Sequence, residues 1–449
     1  MDAERDAIVV LGALFGARYP ALVPAASARG LTVLGVDAPS PGKQRFDAAR
    51  HRYPDHPLAG IAELAWTTGD RHDEILDRVL GWTAAGYAVR GVLAFGEDYV
   101  EAAALVADHL GLPSPGLRAG RVCRNKLLQR RYLAAWSPRS WLLAGPGRGD
   151  RARTWTEFPA VVKPTGREAS SGVRRVDDRT GLLAALDGYD AGEPLLLEQL
   201  VAGHEVSVET LVQGGRVVFA AVTGKRTNET GGAFFVEMGH TTDDPSLDDA
   251  TRGAVLGTNR AVLERLAFAD GVAHAEYRIT ADGRVYLMEI AARAAGDSIV
   301  MLYHLATGAP MEEAMLAIAL GEPASYPPPR RYVRQVYADH RPGVLRGARI
   351  DGLDTPLTWL VERWMWPPVT PCAPGDPATV HMVVVGRSRG DELVEIRQSG
   401  DRALMYVVDA DTPAELDELE ARCAAAVSLD VEPRDEPARM AAPVPVKAG

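Results

Sequence analysis

The stretch Val272-Ala-His-Ala-Glu-Tyr-Arg-Ile-Thr-Ala-Asp-Gly-Arg-Val-Tyr-Leu-Met-Glu-Ile-Ala-Ala-Arg293 contains two alternating runs on either side of Asp282-Gly283. Alternation with a period of two marks a half-buried strand, and Asp-Gly between two such runs is the strongest short hairpin signal. With Asp282 and Gly283 at the centre of the turn, Ala281 faces Arg284, and counting back sets Glu276 opposite Glu289. Side chains directly across a ladder project to one face, with β-carbons about 4.5–5.5 Å apart. Two carboxylates at that spacing repel unless they sit in bulk water, share a proton or hold a cation. Tyr286, Met288 and Ile290 on the alternate face read as core. A hard dication on oxygen ligands, Mg²⁺ or Mn²⁺, is therefore expected, against the competing reading of a solvated acidic face. Arg293 shares the face of Glu289 by the same period, and Arg278 shares it nearer the turn.

Upstream, Val161-Val-Lys-Pro-Thr-Gly-Arg-Glu-Ala-Ser-Ser-Gly-Val173 reads as strand, small-residue loop, strand. Such a loop lets backbone N–H groups approach phosphate oxygens, and Lys163 adds a point charge. The alternative is a plain hairpin loop with a surface lysine. The P-loop pattern is absent. Leu195-Leu-Leu-Glu-Gln-Leu-Val-Ala-Gly-His-Glu205 is an apolar strand running into a glycine turn, after which Glu205, Ser207 and Glu209 share a strand face. A carboxylate can accept both ribose hydroxyls and a main-chain segment can read an adenine edge, although solvent-facing acids would give the same pattern. Lys126 begins a helix in Arg124-Asn-Lys-Leu-Leu-Gln-Arg130, where a surface lysine is the ordinary reading.

The first third alternates strands (Ile8–Gly12, Leu31–Val36, Val92–Phe95) with helical stretches, including Val100–Leu110 stopped by Gly111, which predicts a parallel α/β domain. Its first turn, Gly12-Ala-Leu-Phe-Gly16, lacks the dinucleotide-binding spacing. Residues 121–145 read as helical, and helices are expected over 248–266, 310–320 and 413–426, with strands near 380–385 and 403–408. The chain has 449 residues and a net charge of -11, which argues against a duplex nucleic-acid binder but allows a small anionic ligand. Three scattered cysteines, Cys123, Cys372 and Cys423, show neither a disulfide framework nor zinc spacing and point to a reducing cytoplasm. The apolar run Ile8–Phe15 is too short for a membrane span.

In order and spacing, these pieces resemble the ATP-grasp superfamily. They are Lys126, Lys163 with its small-residue loop, Glu198 seven residues before Glu205, then Glu276, Glu289 and Arg293. Within it the chain looks most like the L-amino-acid ligases, on Glu237-Met-Gly-His240, His274-Ala-Glu276, Glu289-Ile-Ala-Ala-Arg293 with Gly296-Asp297, and the mixed C-terminal extension. The resemblance implies an N-terminal parallel α/β pre-grasp domain (1–120), a grasp lid (121–200), a grasp core with the metal and phosphate site (201–325) and a mixed α+β C-terminal domain (326–432), while a composition rich in Pro, Ala and charge predicts a disordered tail (433–449).

It further implies ATP phosphates on Lys126 and Lys163 under Ser170, Ser171 and Gly172. Glu198, Gln199, Leu200 and Val201 would form the adenine hinge, with Glu205 on the ribose. Glu276 and Glu289 would bind Mg²⁺ or Mn²⁺, and Arg293 would steady the transferred phosphoryl. His240, His274, Gly296 and Asp297 are the expected substrate residues. Ala291 stands where many relatives carry Asn, which weakens the case for two metal ions, and Ala169 stands where glycine is common. The implied activity joins a carboxylate to an amine through an acyl-phosphate, releasing ADP and phosphate, with amino acids as the expected substrates. The alternatives are a carboxylase, or a ligase with a non-amino-acid substrate, on the same fold, and a nucleotide-binding regulator without turnover. A homodimer in the cytoplasm, with no nucleic-acid or membrane partner, is the default expectation.

Overall fold

The computed structural model describes residues 4–69, 71–167, 171–229 and 235–433. Four parallel strands, β1 (Arg5–Leu11), β2 (Thr32–Asp37), β3 (Ile61–Trp66) and β4 (Tyr87–Ala94), form a sheet ordered β3-β2-β1-β4. β1 is buried from Ala7 to Leu11, which explains its unbroken apolar run, since a parallel sheet covered on both faces has no polar side. The helix Val100–Leu110 ends where the sequence signals it: Gly111 takes φ 66°, a left-handed conformation that ends helices at low steric cost.

Residues 121–145 are not one helix. Helices Leu117–Cys123 and Lys126–Tyr132 are followed by a strand, β5 (Ser140–Leu143). The side chain of Asn125 accepts from the N–H of Leu128 and restarts the helix at Lys126. β5 belongs to a small sheet with β6 (Ala160–Pro164), β7 (Arg174–Val176) and β8 (Leu195–Gln199), ordered β5-β8-β6-β7.

A nine-stranded sheet carries the rest of the architecture. Its members are β9 (His204–Gln213), β10 (Arg216–Thr227), β11 (Glu237–Thr242), β12 (Gly271–Ile279), β13 (Val285–Ala291), β14 (Tyr332–Ala338), β16 (Leu357–Trp359), β17 (Thr379–Val385) and β19 (Leu404–Ala410). The order is β13-β12-β9-β10-β11-β14-β19-β17-β16, so β11 pairs directly with β14 and the sheet continues without a break past residue 326. β15 (Gly343–Ile350), β18 (Glu392–Leu393) and β20 (Val427–Glu432) make a three-stranded sheet beside it. Helices Asp249–Leu266, Met311–Ala319 and Pro413–Ala426 fall where periodicity set them. Among the described residues no helix is long and apolar enough to cross a membrane. Residues 434–449, read from composition as a tail, lie outside the described residues.

Candidate functional site: a charged cavity between two sheets

Glu276 and Glu289 are paired across β12 and β13, but by a different route from the one counted in the sequence. The loop has three residues, not two: Thr280 faces Arg284, the N–H of Gly283 donates to the Thr280 carbonyl at 2.8 Å, and Gly283 has φ 78°. A three-residue hairpin with glycine in the left-handed region is a standard solution. The strands therefore start one residue out of the expected register, with Ile279 opposite Val285. A bulge between Glu276 and Tyr277 on one side, with Met288 as the extra residue on the other, restores it. Met288 is consequently not a core residue of the far face, as alternation predicted; it lines the cavity with Glu289. Ile290 is buried.

β9 runs beside β12 in a register that opposes Glu276 with Ser207, His274 with Glu209 and Arg278 with Glu205. His274, Glu276 and Arg278 of β12, with Glu205 of β9 and Met288, Glu289 and Ala291 of β13, line one cavity of about 470 Å³, which lies between the small sheet and the large one. The N-terminal segment contributes Tyr19, Phe95 and Glu97 to its wall, and the C-terminal segment contributes Ser399, Gly400 and Arg402.

Of the predicted phosphate residues, Lys126, Lys163 and Ser171 line this cavity. Lys126 donates to Glu289 at 2.8 Å and to the Arg167 carbonyl at 2.7 Å. Lys163 lies 2.7 Å from Glu198, and burial pulls its pKa down against the pull of that carboxylate. Ser171 lines the cavity, and the carbonyl of Gly172 accepts from Tyr189 at 2.6 Å. Ser170 lies outside the described residues. Gln199, Leu200 and Val201 line the cavity along the strand exit. The Glu198 carboxylate is engaged by Arg130 and Lys163, which leaves its main chain for a base. Arg130 also donates to the Met288 carbonyl at 2.6 Å, which ties the bulge to the small sheet.

Composition and periodicity did not single out Lys225. It sits on β10 one residue beyond the Gly224–Val206 pair and therefore beside Glu205. Its ammonium lies 2.7 Å from Glu276, 3.1 Å from Glu205 and 3.3 Å from Glu237, with 1% of the side chain exposed. Burial opposes the charge, but the three carboxylates outweigh it and hold the lysine well above its ordinary pKa. Burial likewise raises and Lys225 lowers the pKa of Glu276, leaving it well below the usual carboxylate range. His274 is buried against Glu209 at 2.9 Å and Glu276 at 3.3 Å; burial disfavours its charge, yet the two acids lift its pKa to about 10. Arg278 lies 2.7 Å from Glu205 and 2.8 Å from Glu229.

Lys225 and His274 both address Oε1 of Glu276, and Lys126 addresses Oε1 of Glu289. Neither Oε2 has a hydrogen-bond partner among the described residues, so the pair retains one oxygen from each strand for a hard cation. Arg293 donates to Glu97 at 2.6 Å, which fixes the guanidinium at the cavity wall. At the far end His240 and Arg402 converge on Asp297, at 2.8 Å and 2.6 Å. Burial opposes the Asp297 charge, but Arg402 and then His240 hold its pKa well below normal. Gly296 and Asp297 form the corner leading into helix Ile299–Thr307.

A family model for the ATP-grasp domain matches residues 156–301, the span that holds the lysine, the hinge and the carboxylate pair. Residues 156–301 are an ATP-grasp domain. The chain is 25% identical over 161 residues, 34% of its length and 28% of the other, to a protein of Aspergillus fumigatus named ATP-grasp enzyme fsqD. It spans half or less of the length of the curated relatives it matches. In fold it is similar to L-amino acid ligase from Bacillus licheniformis, at TM-score 0.74 and 19% identity, covering 96% of this chain and 100% of that one. It is also similar to the biotin carboxylase domain of 2-oxoglutarate carboxylase from Hydrogenobacter thermophilus, whose structure holds magnesium ADP and bicarbonate. That match has TM-score 0.62 and 13% identity, covering 94% of this chain and 90% of that one. The chain thus shares its overall fold with these two enzymes.

Proposed function

We propose that this ATP-grasp protein is an ATP-dependent carboxylate–amine ligase that activates an acid, an amino acid by preference, as its acyl-phosphate and transfers it to an amine. The observation that carries the reading is the Glu276–Glu289 pair, each with an oxygen to spare, facing Lys126, Lys163 and Arg293 across one cavity. Phosphoryl transfer needs positioning and charge neutralisation more than covalent help. Lys126 and Lys163 would meet the phosphate oxygens, the Gln199–Val201 backbone the base, and Glu205 the ribose. Glu276 and Glu289 would hold Mg²⁺, which supplies further neutralisation of phosphate charge.

The acid oxygen attacks the γ-phosphorus and ADP leaves. The amine then attacks the acyl carbon and phosphate leaves. Arg293, held by Glu97, would stabilise charge developing on the acyl oxygens. The Tyr19–Phe95 stack, with ring centres 4.3 Å apart, and the His240–Asp297–Arg402 group frame the remaining space for two small substrates.

The test is phosphate release from ATP and Mg²⁺ over pairs of amino acids, with mass spectrometry of the products. A product lighter than the sum of one pair by one water, formed only when phosphate is released, supports the ligase. ATP binding with no phosphate release across the panel overturns the amino-acid reading.

A further inference from the structure

The large sheet carries a second cluster of ligand-type side chains at its C-terminal end. The cluster draws on three separate stretches of chain. Asp409 lies on β19 with its side chain fully buried, and His381 lies on β17 with 4% of its side chain exposed. Cys372 comes from the loop between the helix Leu360–Arg363 and β17. One ligand atom from each lies within 4.8 Å of the other two.

The backbone is shaped to bring them together. The β17–β19 ladder runs Thr379 to Asp409 and Val380 to Val408, then resumes at Met382 with Val407, so His381 is the extra residue of a bulge. Bulges re-aim single side chains and are enriched beside functional sites. His381 Nε2 lies 3.3 Å from Asp409 Oδ1, close enough for an ion pair if the imidazole is charged, but neither buried atom has a hydrogen-bond partner among the described residues. A buried imidazole nitrogen and a buried carboxylate oxygen side by side without a hydrogen bond are costly unless a shared ligand satisfies both.

The surrounding charges suit a dication. Arg331 donates to Asp409 Oδ2 at 2.8 Å, turning Oδ1 toward the cluster, and to Asp411 at 2.6 Å. Asp411 balances Arg331, which leaves Asp409 and a Cys372 thiolate to balance two positive charges. Arg331 also donates to the carbonyls of Ala373 and Asp376, both at 3.0 Å, fixing the loop that carries Cys372. Thiolate, imidazole and carboxylate together select zinc-type ions over Mg²⁺.

We propose that Cys372, His381 and Asp409 bind one zinc-type divalent ion, separate from the nucleotide site, that fastens residues 365–378 to the large sheet. The ion takes Cys372 as its thiolate, so binding releases a proton to solvent.

The test is to strip the full chain with a chelator and titrate it with Co²⁺, then with Zn²⁺ as competitor. The expected result is a thiolate-to-cobalt charge-transfer band that saturates at one equivalent. It should vanish in Cys372→Ser, and its affinity should fall at least about tenfold in His381→Ala. Cys123→Ala/Cys423→Ala, which keeps all three ligands, should retain it. A parent chain without the band, or a band that survives Cys372→Ser, overturns the proposal, and the parent measurement decides even if a variant fails to fold.

Discussion

Replacing Lys225 with Met keeps a long unbranched side chain and removes the cation shared by Glu205, Glu237 and Glu276. Removing one partner from a buried ion pair costs about 3–5 kcal/mol. Glu205 keeps Arg278 and Glu276 keeps His274, so about 3 kcal/mol, the lower end, is expected. With an unfolding entropy of about 2.1 cal/mol/K per residue, that is a fall of roughly 3 °C in melting temperature for 449 residues unfolding together. A second effect separates lost charge from lost packing. In the parent chain Lys225 competes with any dication for Glu276, so Lys225→Met should take up Mg²⁺ without nucleotide. At ten times its dissociation constant, the ion would restore about 1.4 kcal/mol. Thermal melts of parent and variant with and without Mg²⁺ measure both effects. A variant that melts within about 1 °C of the parent, or responds no more to Mg²⁺, refutes the reasoning.

Arg293→Ala should lower kcat by about 10²–10³, as loss of a charge-stabilising donor does, and near-parental amide synthesis would remove Arg293 from the chemistry. His274 has its pKa raised from 6.5 to about 10, so its charged contacts contribute in full below pH 6.5. That contribution declines as pH rises and is gone above pH 10. The urea midpoint should therefore fall between pH 7 and 10 more steeply in the parent than in His274→Gln, and parallel curves would contradict the assignment. Arg402→Leu frees Asp297 from its bidentate partner, and KM should rise for the acid or the amine while KM for ATP holds. A rise confined to ATP would place Arg402 at the wrong end of the cavity.

Much of this site was legible because strand alternation and one turn fix relative positions. Glu276 and Glu289 were paired from the sequence although the loop length was misjudged, since the Met288 bulge cancelled the error. That bulge depends on the buried Arg130 gripping the Met288 carbonyl, a contact from a distant helix that no local pattern encodes. Lys225 could have been suspected as a lysine in an apolar strand, but its significance needs the β9–β10 register. Glu97 follows the carboxyl end of a parallel strand, a position where sites gather, and that rule would have found it. Arg402 carried no such signal: its role rests on β14 and β19 extending the sheet beyond β11. The strand Ser140–Leu143 was hidden because four residues are too few to show a period.

The pairing of β11 with β14 also bears on synthesis of the chain. When a ribosome has released residues 1–325, Lys126, Lys163, Glu276 and Glu289 have all emerged, but Ser399, Gly400 and Arg402 have not. At that stage β11 presents an open edge of backbone donors and acceptors, the kind of template on which nascent chains mispair. The same stretch of translation, from Tyr332 to Ala410, covers that edge and completes the cavity wall. The β11 edge is thus open until β14 emerges, and the site still lacks the wall that Arg402 provides until translation has passed residue 402.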